Sequence, residues 1–262
     1  MKRKYRYMLL AIGAMLMVGC QKDTVGYFTA VIEDYHSDGD KVYVDENRYL
    51  YWNAGDEVKI NGREATIDLS TEKAMLMGIE IVDGESYHAT YPATSWVSDN
   101  CVNFPQEQQY REAFNAIGDM VQVIDAPMVA QTTATVDGNG GINVLNFKNV
   151  GALLKVTFSN PESSEIKVNE IEVIGNQEIS GNANYSYTEG VPEVTNVDEG
   201  GSSVKMMFPK GLGRIMEGNT RSFYIPIIAK NELALQVRVY YQVKETPMIK
   251  IFAKAIVERS TL

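Results

Sequence analysis

Cysteine and histidine are almost absent from this chain: its 262 residues hold two of each, Cys20 and Cys101, His36 and His88. No HxxxH or CxxC pattern occurs, which excludes a zinc site of the usual kind. His36 lies in the polar stretch Tyr35–Asp40 and reads as solvated, and His88 reads as an outward strand residue beside Tyr87. A Gly-x-Ser-x-Gly elbow is missing too, and Gly211-Leu212-Gly213 lacks the third glycine of a dinucleotide loop. Neither catalysis, a cofactor nor a metal is expected. Basic residues are outnumbered, 24 Lys and Arg against 34 Asp and Glu, for a formal charge of −10. Nucleic acid and anionic lipid both select basic patches, so neither is an expected partner. The acids Asp38, Asp40, Asp45 and Glu46 could offer oxygens to calcium, but their spacing is not an EF-hand and no glutamate closes the loop. A solvated turn is the better reading.

What the chain does have begins at its N-terminus. Lys2, Arg3, Lys4 and Arg6 precede an apolar run, Met8–Gly19, which ends at Cys20. A helix of that run would span about 18 Å, short of the roughly 30 Å bilayer core, but its length suits a secretory signal. Met17-Val18-Gly19-Cys20 resembles the lipobox of bacterial lipoproteins, with methionine where leucine is usual. Residues 1–19 are therefore expected as a signal peptide and Cys20 as the lipidated residue, anchoring the mature chain in a membrane. An ordinary cleaved signal beside a chance cysteine is the alternative. Loss of residues 1–19 moves the formal charge from −10 to −14. Gln21-Lys22-Asp23 resembles the surface-export signal of some Gram-negative lipoproteins, which places the protein on the outer face of the outer membrane. With Cys20 lipidated, Cys101 has no disulfide partner within the chain, so the core alone must hold the fold.

The dominant hydrophobic period is two, the mark of half-buried strands. Leu233, Leu235, Val237, Val239, Tyr241 and Val243 alternate with polar or small residues, and Ile249, Ile251, Ala253, Ala255 and Val257 repeat the pattern. Leu154-Val156-Phe158, Val204-Met206-Phe208 and Phe223-Ile225-Ile227 add strands, while a change of phase between Val168 and Ile171 predicts a bulge near Asn169. Val58-Ile60 and Ala65-Ile67 flank Asn61-Gly62, the dipeptide of type I′ hairpins, and Ile79-Ile81 leads through Asp83-Gly84 to Tyr87, Ala89 and Tyr91. One helix is expected, Gln106–Ile117, with Tyr110, Phe114 and Ile117 on one face. Asp137–Gly141 is the strongest break. The layout is an all-β protein of two mainly antiparallel β-sandwich domains: signal 1–19, tether 20–40, first domain 41–145, second domain 146–262. Fifteen tyrosines with Trp52 and Trp96 raise a glycan platform as an idea, although tyrosine is also a common strand residue and Trp52 reads as core.

Several segments, in order, resemble the fimbrillin-like (Mfa-like) surface lipoprotein family. Trp52-Asn53-Ala54-Gly55-Asp56-Glu57-Val58 resembles its W-x-x-G-D-x-(V/I) signature, and Tyr91-Pro92-Ala93 its YPA segment. Phe104-Pro105-Gln106-Glu107-Gln108 is similar to its LPxxQ stretch and Ala126-Pro127-Met128-Val129-Ala130 to its PMxA stretch. Asn146–Leu154 resembles the opening of the second domain, and Ile171–Gly181 a later strand and turn. The resemblance covers Trp52 to Leu262 and implies two transthyretin-like sandwiches without catalysis. It further implies a stalk, anchor or tip subunit of a surface fimbria, joined to other fimbrial subunits by strand donation and meeting a host or bacterial surface ligand. Some members lose a leader after a basic residue, for which Arg48 is the candidate here, a plain surface-loop arginine being the other reading. Members usually continue past the strand corresponding to Ile249–Val257 into one more. An open acceptor edge at Ile249, Ile251, Ala253, Ala255 and Val257, or at their sheet neighbours, is therefore expected, with a truncated sequence as the alternative. A surface glycan-binding lipoprotein and a surface glycosidase are the competing functions; the second would need two facing carboxylates.

Overall fold

The computed structural model describes residues 27–32, 52, 54–67, 73–76, 79–114, 120–136, 142–241 and 247–257. Cys20, His36, the acids Asp38 to Glu46, and Arg48 lie outside them, as do the signal and tether. The described chain is all-β. Its first strands are β1 (Tyr27–Ile32), β2 (Glu57–Ile60), β3 (Arg63–Thr66), β4 (Lys73–Leu76), β5 (Ser86–Tyr91), β6 (Trp96–Ser98) and β7 (Cys101–Phe104). Next come β8 (Glu107–Gln109), β9 (Arg111–Phe114), β10 (Met120–Val123), β11 (Met128–Thr133) and β12 (Ile142–Asn149). The later part holds β13 (Ala152–Ser159), β14 (Ile166–Gly175), β15 (Ser180–Thr188), β16 (Val191–Gly201), β17 (Ser203–Met207), β18 (Arg214–Ile215), β19 (Thr220–Ile227), β20 (Lys230–Tyr241) and β21 (Met248–Val257).

Seven strands, in the order β3-β2-β5-β11-β12-β1-β4, wrap the first core. The Asn61-Gly62 turn joins β2 to β3 with φ of 46° and 77°, the left-handed pair that a type I′ hairpin needs. Asn61 is held there because its amide donates to the Ser86 carbonyl (3.1 Å) and accepts the His88 N–H (2.7 Å). Trp52 fills the centre of this core, fully buried and edge-on to Tyr91 and Phe147 at 5.2 Å. The strand expected at Ile79–Ile81 does not form, and β5 instead pairs with β2 and β11. The Tyr87 hydroxyl holds that segment, accepting the Val82 N–H (2.9 Å) and reaching the Glu80 carbonyl (3.1 Å).

The second core lies between the pair β13–β19 and the six-stranded sheet β21-β20-β14-β17-β8, with β18 paired to β14 off that path. Its ladder shifts register between Val168 and Glu170, the bulge that the change of hydrophobic phase predicts. Between the cores, the sheet β16-β15-β7-β6 buries Val102, Phe104, Ala183 and Tyr185 against Val129, Val150 and Ile228. Gly151 marks the crossing from one core to the next. A Cβ there would fall on the Ile227 carbonyl oxygen and the Phe104 ring, so only glycine fits. The division drawn at 145/146 falls inside β12, all of which belongs to the first sheet. Two pairings depart from the antiparallel rule: β1 with β12, and β8 with β17, are parallel.

Ile117 lies outside the described residues. The described part of the stretch expected as a helix, Gln106–Phe114, is not one. It supplies β8 and β9, and among the described residues the only helical turn is a 3₁₀ turn at Ala93–Ser95. A helix would require Tyr110 and Phe114 to share a buried face, yet Tyr110 is 1% exposed and Phe114 68%. Backbone pairing decides the matter: the Tyr110 N–H donates to the Met207 carbonyl (2.8 Å) and β8 runs alongside β17.

Candidate functional site

Among the described residues, the second sandwich is covered along one lateral side and not along the other. On the closed side, the segment from β8 to β10 bridges its two layers. Gln122 of β10 behaves as a surrogate strand against β19: its Nε2 donates to the Tyr224 carbonyl (2.7 Å) and its Oε1 accepts the Tyr224 N–H (3.0 Å). Gln108 of β8 adds a bond to the Pro226 carbonyl at 2.9 Å. Nearby, Arg221 pairs with Glu112 and donates to the Tyr110 hydroxyl (2.7 Å), while Tyr110 stacks on Phe208 at 4.5 Å. Burial raises the Tyr110 phenol above its ordinary pKa, and the Glu112 carboxylate beside it adds to that. The Tyr110 side chain therefore stays a neutral donor here.

No described strand pairs with the far edge of β13 or with the outer edge of β21. Between them runs a groove of about 430 Å³, lined by Leu154, Val156, Phe158, Val237, Val239 and Met248, with Lys155 and Lys250 among its remaining residues. Burial shows the same asymmetry. Phe223, Ile225 and Ile227 of β19 are fully buried, whereas Leu154 and Val156 of β13, which pack against the same core, are only partly covered. The inward face of β13 thus lacks the cover that β19 has.

The residues expected at the acceptor edge lie on β21. Its register sets Met248 beside Val239 and Lys250 beside Val237, so those two stand on the face turned to the core. Ile249 stands beside Arg238 and is 53% exposed. Ile251 partners Gln236, and Ala255 partners Leu233 after a register shift; Ala253 and Val257 lie on the same strand. The open edge of β13 was not singled out from the sequence, because Leu154-Val156-Phe158 alternates just as a fully covered strand would. The signal that could have found it is composition: β13 and β21 are rich in apolar residues and free of proline, and so carry few of the usual edge guards.

Two other edges are guarded. The edge strand β16 carries Pro192, Glu193 and Asp198, has two register shifts against β15, and places Glu199 at φ 53°. Each of these features hinders a further strand from pairing. Arg63 and Glu64 on β3 are exposed charges at the edge of the first sheet.

The remaining sequence candidates are spread apart. His88 is half-buried on β5, in an open hollow with Ser86, Gln131, Thr132 and Thr133, and its Nδ1 has no partner. Among the described residues no group of three His, Cys, Asp or Glu side chains could hold a metal ion. Cys101 is buried, and burial followed by the Asp198 charge raises its thiol pKa. Of the two tryptophans that a glycan platform would use, Trp52 is core and Trp96 lies under the Lys59 ammonium at 5.0 Å.

No protein-family model and no curated protein matches this chain. Several solved structures are similar to it. One, from Bacteroides ovatus ATCC 8483, is provisionally named a cell adhesion protein: it is 12% identical, the match covers 91% of this chain and 99% of that one, and the TM-score is 0.40. A DUF3823 family protein from the same strain is 9% identical over 90% and 98% of the two chains, with a TM-score of 0.20. A DUF3823 family protein from Bacteroides uniformis ATCC 8492 is 10% identical over 89% and 100%, with a TM-score of 0.19. These likenesses are too slight to fix a shared architecture.

Proposed function

We propose that this protein is a structural or adhesive subunit of bacterial surface fimbriae, a stalk, anchor or tip component rather than an enzyme. In this reading a lipid on Cys20 tethers it to the outer membrane, and neighbouring subunits join it by donating a strand to the groove beside β13. The observation that carries the reading is the asymmetry of the pair β13–β19. One edge is sealed by glutamine side chains, and the other borders an apolar groove with no described strand beside it. A two-stranded ribbon is marginal by itself, and an uncovered apolar edge invites a further strand. Strand addition answers both needs, because main-chain hydrogen bonds give affinity and the alternating side chains fill the groove.

Cleavage after Arg48, if it occurs, would also act on the fold. It would separate β1 from the body of the chain, and β1 lies between β12 and β4 with Phe28 and Ala30 fully buried. A second apolar slot would open in the first sheet.

The test is binding of the purified protein to synthetic peptides copied from the apolar terminal strands of fimbrillin-like subunits. Burying three apolar side chains gains roughly 1.5–3 kcal/mol each, and ordering the peptide backbone costs about 1–2 kcal/mol per residue. These two terms nearly cancel for five residues, which should bind weakly. Main-chain hydrogen bonds to the β13 edge, at about 0.5–1.5 kcal/mol each, supply the surplus that holds a longer strand. Filling the groove should raise the thermal midpoint and protect the β13 backbone amides from hydrogen exchange. A strictly monomeric protein that ignores every such peptide refutes the proposal.

A further inference from the structure

The hydrogen bonds that seal β19 also fix the phase of β13. Both main-chain groups of Tyr224 go to the Gln122 amide, so Lys155 and Tyr224 face each other without exchanging main-chain bonds. In an antiparallel pair such residues alternate with bonded ones, so the N–H and C=O of Lys155 point away from β19. The pairs two places along keep this phase. Thr157 meets Ser222 and Ser159 meets Thr220 hydroxyl to hydroxyl, at 3.0 and 2.9 Å, the close approach that such pairs allow. Leu153 stands opposite Pro226, whose only main-chain polar group, its carbonyl, turns the other way to accept from Gln108. The outward main chain of β13 is therefore that of Leu153, Lys155, Thr157 and Ser159, and among the described residues no strand takes it up. Residues of both faces, Leu154, Val156 and Phe158 as well as Lys155 and Thr157, line the groove of about 430 Å³. The open space thus runs beside the strand and not merely beneath it.

We infer that, without a donor, this edge closes on the same edge of a second copy, as a two-fold symmetric antiparallel β13–β13 ladder with Val156 on the axis. The inference takes from the strand-acceptor reading above only the open edge, not the donor. A two-fold contact is isologous, so one surface must complement itself, and the order of residues on β13 does. With the axis at Val156, Lys155 lies opposite Thr157 of the other copy and Leu153 opposite Ser159. Every outward N–H and C=O of these residues then has a partner. On the inward face Val156 meets its own copy and Leu154 meets Phe158, which covers the two residues of β13 that the chain itself leaves partly bare. Neighbouring positions of the axis do worse. At Lys155 two ammonium groups stand directly opposite, and like charges so placed destabilise a sheet. At Thr157, Leu153 falls opposite Pro161, which has no N–H to give. Further shifts shorten the ladder. In the dimer two ribbons, each marginal alone, become one four-stranded sheet. A donor strand must then displace the second copy, so the dimer is a self-capped subunit whose edge stays closed until a donor arrives.

Sedimentation of the full purified chain over a range of concentrations should show a monomer–dimer equilibrium. Thr157→Pro removes an outward N–H and leaves the main-chain bonds to β19 in place. Acting once in each copy, it should weaken the dimer about tenfold. Cross-linking reads the register. Under mild oxidation Val156→Cys should join two copies, because residues facing each other in such a pair lie about 4.5 Å apart, within disulfide reach. Lys155→Cys should not, since its counterpart lies on the diagonal, about 7–8 Å away. Hydrogen exchange needs no variant: the Leu153, Lys155 and Thr157 amides should exchange fast in dilute solution and gain protection as the dimer forms. A chain that stays monomeric at every concentration overturns the inference, and donor peptides that bind that monomer leave strand acceptance standing. A dimer that Thr157→Pro does not weaken, or one linked through Lys155→Cys and not Val156→Cys, also overturns it. A dimer with the expected links that no donor peptide opens upholds the inference and refutes strand acceptance. If those three amides are already protected in dilute monomer, the chain covers its own edge and both readings fall.

Discussion

Gln122→Ala isolates the closed edge of the second sandwich. In the native protein the Gln122 amide exchanges two hydrogen bonds with the Tyr224 backbone, at 2.7 and 3.0 Å, and both are half-buried. Each bond contributes about 0.5–1.5 kcal/mol net. Water can reach a half-buried site and recover part of that, so the expected loss is about 1–2 kcal/mol. Native-state hydrogen exchange at the Tyr224 amide reads it locally, and a loss of that size corresponds to roughly 5–30-fold faster opening. Gln122→Glu gives an internal check. Its carboxylate can still accept the Tyr224 N–H but confronts the Tyr224 carbonyl, so protection should be poor at neutral pH and recover when acid protonates the side chain. Freed of its cover, the β19 edge should also make the Ala variant self-associate more readily in sedimentation. Unchanged exchange at Tyr224 in both variants would refute the view that a glutamine side chain substitutes for a strand.

Cys20→Ala should leave the chain uncleaved or released rather than membrane-bound, checked by detergent-phase partitioning; unaltered partitioning contradicts the proposed lipid anchor. Gly151→Ala should destabilise the chain by about 1–3 kcal/mol in urea unfolding, since the new Cβ meets the Ile227 carbonyl and the Phe104 ring at the crossing between cores. Stability should fall as pH rises past the ordinary pKa values of 9.0 for Cys101 and 10.0 for Tyr91. Burial raises both groups in the folded chain, so the unfolded chain loses these protons first, and stability present below those values is lost above them. Thermal midpoints that hold steady from pH 8 to 11 would count against this.

Where a short stretch decides its own conformation, the sequence was readable. Asn61-Gly62 announces its turn because two adjacent left-handed residues suit almost no other pair, and the Val168-to-Ile171 change of phase can only be absorbed by an extra residue in the strand. Gln106–Ile117 was unreadable for the opposite reason. Glutamine and glutamate suit a helix, and nothing local says that Met207 presents a carbonyl to Tyr110 or that Tyr224 needs Gln122. Partners about a hundred residues away settled the conformation. The parallel pairing of β1 with β12 is likewise invisible to a reading of local periods.

The candidate site shows a sharper version of the same limit. Alternation tells which residues of a strand face inward, but not whether a neighbour stands beside it. Leu154 and Val156 read the same as Phe223 and Ile225, and they differ only in cover. That difference is set by which segment lies alongside. On β19 the segment is β8 to β10, which reach across from the first half of the chain; beside β13 no described strand does so. Guarding, in contrast, can be read from composition, since Pro192, Glu193 and Asp198 disqualify β16 as a template without any structure. A search for acceptor edges in such chains should therefore run in two steps. Edges that carry proline or clustered acids are set aside from the sequence, and the remaining apolar strands are ranked by how far their inward residues fall short of full burial. Here that ranking ends at β13, beside an edge that side chains already occupy.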